Sequence, residues 1–305
     1  MLQWNGVQTL GETMKISRDH AFDVLHIRAF RLYFFGQMIS ISGTWMQRVA
    51  QGWLVYHLTG SPFSLGFAAF ATGVPAVLLM PFAGVWADRT SRRHLLLITQ
   101  VAELMTAFVL GVLVLTQTIQ FYHVVVCALV LGVTTAIGEP ARQSFMKEMT
   151  GPTALHKGLA LNALMVNAAS VIGPAIAGVM LLSLGAGWCF VLNGLSYLAV
   201  IASLLSIHVP QPAASPGRRS PLHDLKEGVR YIQQHAQLPR LLKTATLVNI
   251  LGIGALQTLL PAFAADTLHD AKIGYALLTA TIGVGAVAGA AAAVPLGNRF
   301  GRTTF

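Results

Sequence analysis

The chain has 305 residues, 54% of them hydrophobic and only 10% charged. Soluble domains carry about 25% charged residues, so this composition excludes an ordinary cytosolic enzyme and a disordered chain. Twenty Lys and Arg against eleven Asp and Glu give a formal net charge of +9, which on a soluble protein would point to nucleic acid; here the placement of the charges decides.

The first thirty residues contain no apolar core of the kind a signal peptide needs. They mix Glu12, Asp19 and Asp23 with Lys15, Arg18 and Arg28, and read as a cytoplasmic N-terminal segment, 1–30. A spanning helix needs roughly 20 mostly apolar residues. Eight windows meet that need, at about 33–57, 62–86, 94–117, 120–139, 159–184, 188–207, 244–265 and 273–297. The first six form a unit over 31–207. A connector over 208–243 follows, and the last two spans occupy 244–305. Cys127 and Cys189 both lie inside apolar runs, so neither a disulfide framework nor a cysteine metal site is expected.

Eighteen of the twenty basic residues fall on one side of these spans. They are Lys15, Arg18, Arg28 and Arg31 before span 1; Arg89, Arg92 and Arg93 after span 2; Arg142, Lys147 and Lys157 after span 4; six from Arg218 to Lys243; and Arg299 and Arg302 in the tail. Lys272 is opposite, and Arg48 lies within span 1. Cytoplasmic loops accumulate Lys and Arg, so both termini are expected in the cytoplasm of an inner-membrane protein. The bilayer then accounts for the net charge without nucleic acid. In the connector, Pro210, Pro212, Pro216 and Gly217 break structure. Ser220 and Pro221 then open an amphipathic helix carrying Leu222, Leu225, Val229 and Ile232. It lies along the membrane surface or simply joins two halves.

A shift of 210 residues lays spans 1 and 2 on spans 7 and 8. Gly73-Val74-x-Ala76-Val77 falls on Gly283-Val284-x-Ala286-Val287, Gln47 on Gln257, and Asp88-Arg89-x-x-Arg92 on Asn298-Arg299-x-x-Arg302. Six spans, a connector and a restart in the same orientation describe a parallel repeat whose second copy stops after two spans.

The turn after span 2 reads Gly84-Val85-Trp86-Ala87-Asp88-Arg89-Thr90-Ser91-Arg92-Arg93. It resembles the G-x-x-x-D-R-x-x-R-R signature of the major facilitator superfamily. Two sets of stretches narrow the likeness. One is Thr44-Trp45-Met46-Gln47-Arg48-Val49-Ala50-Gln51. The other comprises Glu139-Pro140-Ala141-Arg142-Gln143 and Gly173-Pro174-Ala175-Ile176-Ala177-Gly178. Together they are similar to the bacterial effector-secretion and siderophore or drug exporter branch, from Phe30 to the C-terminus. The resemblance implies an all-helical membrane protein with a complete six-helix first half and two helices of a second. It implies secondary active, proton-coupled export of a small hydrophobic molecule, drug or siderophore. Gly84, Asp88, Arg89, Arg92 and Arg93 become the gating motif, with Asp88 accepting helix-terminal amides or pairing with Arg92. Gly173, Pro174 and Gly178 resemble the helix-kink motif of antiporters, although Ala160 and Ala169 stand where its upstream glycines would lie. A small-residue packing face explains the same three residues. Since the family has two six-helix halves, four spans are missing, and the chain is expected to be truncated and inactive alone.

Arg48 is the sharpest single residue, because a charge deep in a span costs at least roughly 2.5–3.5 kcal/mol. It therefore faces a cavity or an acidic partner, Glu103 within span 3 or Glu139 at the inner end of span 4. Such a pair passes protons as it separates, locks two spans statically, or leaves Arg48 to snorkel outward. Gln47 and Gln51 share the Arg48 face, and Arg142, Asn162 and Asn167 complete the expected pathway set; intramembrane amides also serve as plain interhelical bonds.

The chain has no Gly-x-x-x-x-Gly-Lys-Ser/Thr loop, so no ATP site of its own is expected, and no cofactor, metal or catalytic group. Gly283-x-Gly285-x-x-x-Gly289 lies inside a span, where it serves packing rather than a dinucleotide. Gly194-Leu195-Ser196-Tyr197 superficially resembles an intramembrane hydrolase motif, but no histidine lies buried in a span to activate the serine. The rival readings are a non-transporting membrane protein, whether sensor or broken gene product, and an importer of a small solute.

Overall fold

A computed structural model describes residues 23–207, 227, 230–234, 237–248, 252, 254–268, 273–275, 277–279, 281 and 285. The described elements are α1 (Arg28–Thr59), α2 (Pro62–Arg89), α3 (Arg92–Leu115), α4 (Phe121–Gly151), α5 (Ala154–Ser183), α6 (Ala186–Ser206), α7 (Leu238–Leu247) and α8 (Ala255–Leu268). All are helical, and no strand occurs among the described residues. Most of the connector helix expected from Ser220, and most of span 8 with its basic turn, lie outside them.

The local chemistry sets each boundary. Gly60 adopts the left-handed conformation (φ 59°) that ends α1, its N–H bonding Tyr56 O at 2.7 Å, and Pro62 opens α2. Ser91 caps α3 by accepting from the His94 N–H, and Gln120 with His123 forms a reciprocal cap at α4. Gly185, at φ 87°, turns the chain from α5 into α6.

Five described helices (α2 to α6) are long and apolar enough to cross a membrane. α1 has 32 residues but is less apolar, because it carries Gln37, Ser40, Ser42, Thr44, Gln47, Arg48 and Gln51. Its polar groups turn inward or onto their own helix. Gln37, Ser40 and Gln47 are buried, while Ser42 and Thr44 hydroxyls donate to Met38 O and Ser40 O four residues back. The outer surface shows the reverse arrangement, with Phe63, Val77, Ile98 and Val179 at least 64% exposed. So apolar an exterior suits lipid, where water would drive it inward.

One expected boundary is corrected. Hydropathy ended span 4 at 139 and placed Arg142 and Lys147 in a cytoplasmic link. In the structure α4 stays helical to Gly151, whose φ of 68° and ψ of 173° make the break before α5. An apolar window stops at the first charges, whereas the backbone ladder continues through charges that are paired. Glu139, Arg142 and Glu148 are all paired.

Glycines set the approach of the helices. A Cβ on Gly173 of α5 would lie 2.5 Å from Trp45 Cβ and 2.6 Å from Ser42 O of α1. One on Gly43 of α1 would run into Asn193 and Ser196 of α6, and one on Gly132 of α4 into the Thr72 carbonyl of α2. One on Gly111 of α3 would meet Val191 of α6 at 2.8 Å. α1 is thus clamped between α5 and α6, α2 against α4, and α3 against α6. Near the Gly60 end, Val49, Leu54, Leu65, Leu110, Leu181 and Phe190 share one core with Leu260, Ala262, Ala264 and Tyr275 of the second half. Near the other end, Tyr33, Leu96, Ala141, Phe145 and Leu204 form a separate core.

Candidate functional site

The polar residues form layers along the bundle. At the basic turn, Arg92 pairs with Glu148 of α4, and Arg93 donates to Leu205 O of α6 at 2.8 Å. The start of α3 is thereby fastened to the ends of two other helices. Arg92, expected to meet Asp88, has Glu148 as a partner that sequence spacing does not reveal. The side chains of Gly84, Asp88 and Arg89 lie outside the described residues; the backbone there is helical up to Arg89. Lys157 reaches Asp23 at 3.3 Å, fastening the chain before α1 to α5.

Deeper in lies a cluster of charge. Arg142 and Glu139 pair at 3.1 Å, one helical turn apart on α4. The Tyr33 hydroxyl of α1 faces the Arg142 guanidinium without meeting hydrogen-bond geometry. Glu103 of α3 accepts from Gln100 Nε2 at 3.1 Å, with Thr134 of α4 beside it. Glu103 has no ion pair among the described residues. Gln100 Oε1 and Arg142 Nε are buried there without a hydrogen-bond partner. An unpaired carboxylate such as Glu103 inside an apolar bundle costs several kcal/mol, so packing alone does not explain it; Glu139, 40% exposed, is paired with Arg142. Glu103 lies mid-way along α3, whereas Glu139 and Glu148 lie toward the Gly151 end of α4.

Arg48 lies nearer the middle of α1 and does not contact either carboxylate. Its guanidinium stands over the Trp45 ring, 4.8 Å from the centroid, and it makes no ion pair among the described residues. The side chain is exposed, so it is not part of the packed core. The expected direct Arg48–Glu103 pair is therefore replaced by attraction at longer range, because Glu103 and Glu139 act on both Arg48 and Arg142. Two positive and two negative groups balance across α1, α3 and α4.

The amides divide into two kinds. Gln47, expected beside Arg48 in the pathway, is only 4% exposed, and its Oε1 accepts from Asn193 Nδ2 at 2.6 Å. Asn193 also reaches Tyr197 Oη at 3.3 Å; Ser196 Oγ donates to Asn193 O and Oδ1, and Tyr197 Oη meets Thr44 Oγ1 at 3.2 Å. This network, with Gln47 in it, binds α1 to α6. Gln51 and Asn162 are half-buried, and Asn167 is exposed with its Nδ2 bonded to Ala163 O. Gly173 and Pro174 are buried where α5 crosses α1, and the helical torsions continue through Gly178. Tyr33, Gln100 and Tyr197 escaped sequence reasoning because aromatic and amide residues in a span give no signal of what they face.

The match to known proteins follows this architecture. A family model described as transmembrane secretion effector matches residues 20–305. The chain belongs to that family, within the major facilitator superfamily. The staphyloferrin A transporter of Staphylococcus aureus is 25% identical over 76% of this chain and 58% of its own length. The enterobactin exporter EntS of Shigella boydii is 27% identical over 86% of this chain and 62% of its own. The multidrug efflux pump Tap of Mycolicibacterium fortuitum is 23% identical over 83% and 64%. The chain thus spans about 60% of the length of these relatives. A solved bacterial homolog of the human lysosomal transporter Spinster, inward-facing and unoccupied, superposes with a TM-score of 0.61. It is 19% identical, covering 93% of this chain and 64% of that one. The family and the five apolar helices make this a multi-pass inner-membrane protein rather than an enzyme.

Proposed function

We propose that this family member is the cargo- and proton-handling bundle of a secondary active exporter for small hydrophobic molecules, drugs or siderophores. The observation that carries the reading is the charge cluster Glu103, Glu139, Arg142 and Arg48 inside a bundle whose outer surface is apolar. Intramembrane ionisable groups are expensive and mark ion or substrate pathways. The relatives' names, a siderophore transporter, an enterobactin exporter and a multidrug pump, supply the cargo class. The one-sided distribution of Lys and Arg over the N-terminal segment, the links after spans 2, 4 and 6 and the tail supports a cytoplasmic position for both termini.

Within the cluster the two carboxylates take different roles. Glu139 is held by Arg142, whereas Glu103 is held by an amide and a hydroxyl. A proton entering the cluster goes to Glu103, because neutralising it breaks no ion pair. Protonation leaves the two guanidinium groups in excess, which favours release of a cation or capture of an anion at Arg48. Gln51, Asn162 and Asn167 line that path. Gly84, Asp88, Arg89, Arg92 and Arg93 form the gate at the cytoplasmic end, with Arg92–Glu148 as one of its bonds.

The test is proton exchange on binding. Solubilised protein in weak buffer is titrated with ethidium and with a tris-catecholate siderophore while pH is followed. Binding of either probe with a proton change, and binding without one in Glu103→Gln, supports the reading. Binding with no proton change in the natural protein refutes proton coupling, and no binding of either probe refutes the cargo class.

A further inference from the structure

At the end of the bundle opposite the basic turn, α1 meets the second half of the chain. Tyr56 Oη donates to Asp266 Oδ1 on α8 at 2.7 Å. These residues are 210 positions apart, the same displacement that lays Asp88-Arg89-x-x-Arg92 on Asn298-Arg299-x-x-Arg302. In a two-fold arrangement, equivalent positions touch one another only where the axis passes between them. Parallel transporter repeats have that axis along the membrane normal, so Tyr56 and Asp266 face each other across it.

The surroundings make this a closure rather than a chance contact. One turn deeper, a Cβ on Gly52 would lie 3.1 Å from Tyr275 Oη and 3.2 Å from Pro261 Cγ, so α1 and the second half are packed together there as well. Trp53 stacks on His57, ring centroids 4.7 Å apart and planes 13° from parallel. These two rings, Tyr56 and Pro261 line a cavity of about 220 Å³. Deeper still, Arg48 is exposed.

We propose that Tyr56 and Asp266 are the residue pair that holds the two halves shut at this end, made and broken as the halves move. The proposal rests on the transporter reading. A hydroxyl bonded to a carboxylate suits the task, since charge assistance makes it stronger than a neutral bond while solvent exposure keeps it breakable. The apolar core that α1 shares with Leu260, Ala262, Ala264 and Tyr275 presses the halves together beside this pair, and the Tyr56–Asp266 bond closes the exposed rim.

The test reads accessibility and needs neither cargo nor protons, so its failure is separate from failure of the transporter reading. In a Cys127→Ala, Cys189→Ala background, Gln51→Cys reports entry of a membrane-impermeant maleimide in vesicles of both orientations. Tyr56→Phe and Asp266→Asn, each of which keeps its side-chain shape, are expected to raise labelling from the outer side about tenfold, equivalent to ~1.4 kcal/mol. The exchanged double variant, Tyr56→Asp with Asp266→Tyr, returns labelling to the natural rate, because the axis makes the two positions equivalent. Unchanged labelling in both single variants would overturn the lock. Fast labelling in the exchanged variant would overturn its placement on the axis.

Discussion

Gly173→Ala is expected to destabilise the bundle by driving α5 away from α1. The added methyl would sit 2.5 Å from Trp45 Cβ, 2.6 Å from Ser42 O and 3.0 Å from the Met46 N. Two of the three obstacles are backbone, so no rotamer change relieves them, and the helices must separate by roughly 1 Å in an interior packed as densely as a crystal. Overpacking of this kind costs about 1–3 kcal/mol. The same substitution at Gly66, where nothing lies within 4 Å, is the control and leaves stability unchanged or slightly raised. The natural cysteines provide the assay, since Cys127 is 8% exposed and Cys189 0%. A thiol-reactive dye stays dark on the folded protein and lights up as it unfolds. Gly173→Ala should lower the midpoint by several degrees, since each kcal/mol is worth about 2–4 °C in a domain of this size. Equal midpoints for the Gly173 and Gly66 variants would refute the close-approach role and return the Gly173-Pro174 stretch to a purely mechanistic one.

Other substitutions probe the polar layers. Gln47→Ala and Asn193→Ala combined in a double-mutant cycle should show a coupling of about 0.6–1.7 kcal/mol, the range for intramembrane hydrogen bonds; independent effects in the dye assay would separate the two residues. Arg142→Gln leaves Glu139, whose side chain is 40% exposed, without its ion-pair partner and should cost about 1 kcal/mol. Adding Glu139→Gln should recover much of that midpoint, and no recovery would mean that Arg142 serves another partner. Arg48→Leu should leave insertion and midpoint unchanged, because Arg48 is exposed and makes no ion pair among the described residues, while abolishing the proton change on probe binding. A large loss of stability would place Arg48 in the packed core.

The sequence by itself determined what each residue type enforces locally. Apolar runs separated by Gly60-Ser61-Pro62, by the Ser91 cap and by Gly185 specify helices and their ends. The turn from Gly84 to Arg93 carried the family. All of these are properties of neighbours along the chain. The partners of the charges were not legible. Arg92 meets Glu148, 56 residues away, and Gln47 meets Asn193, 146 away, because which groups share a dry interior depends on how helices cross. The same limit hid the course of α4, since a hydropathy window treats Glu139, Arg142 and Glu148 as the end of a span. Glu139 and Arg142 pair along α4 and Glu148 pairs across to Arg92, and the helix runs on through all three. Tertiary structure alone decided that Gln47 faces a helix while its neighbour Arg48 is exposed. A step of one residue turns a side chain about 100° around α1, and only the packed neighbours say what lies in each direction.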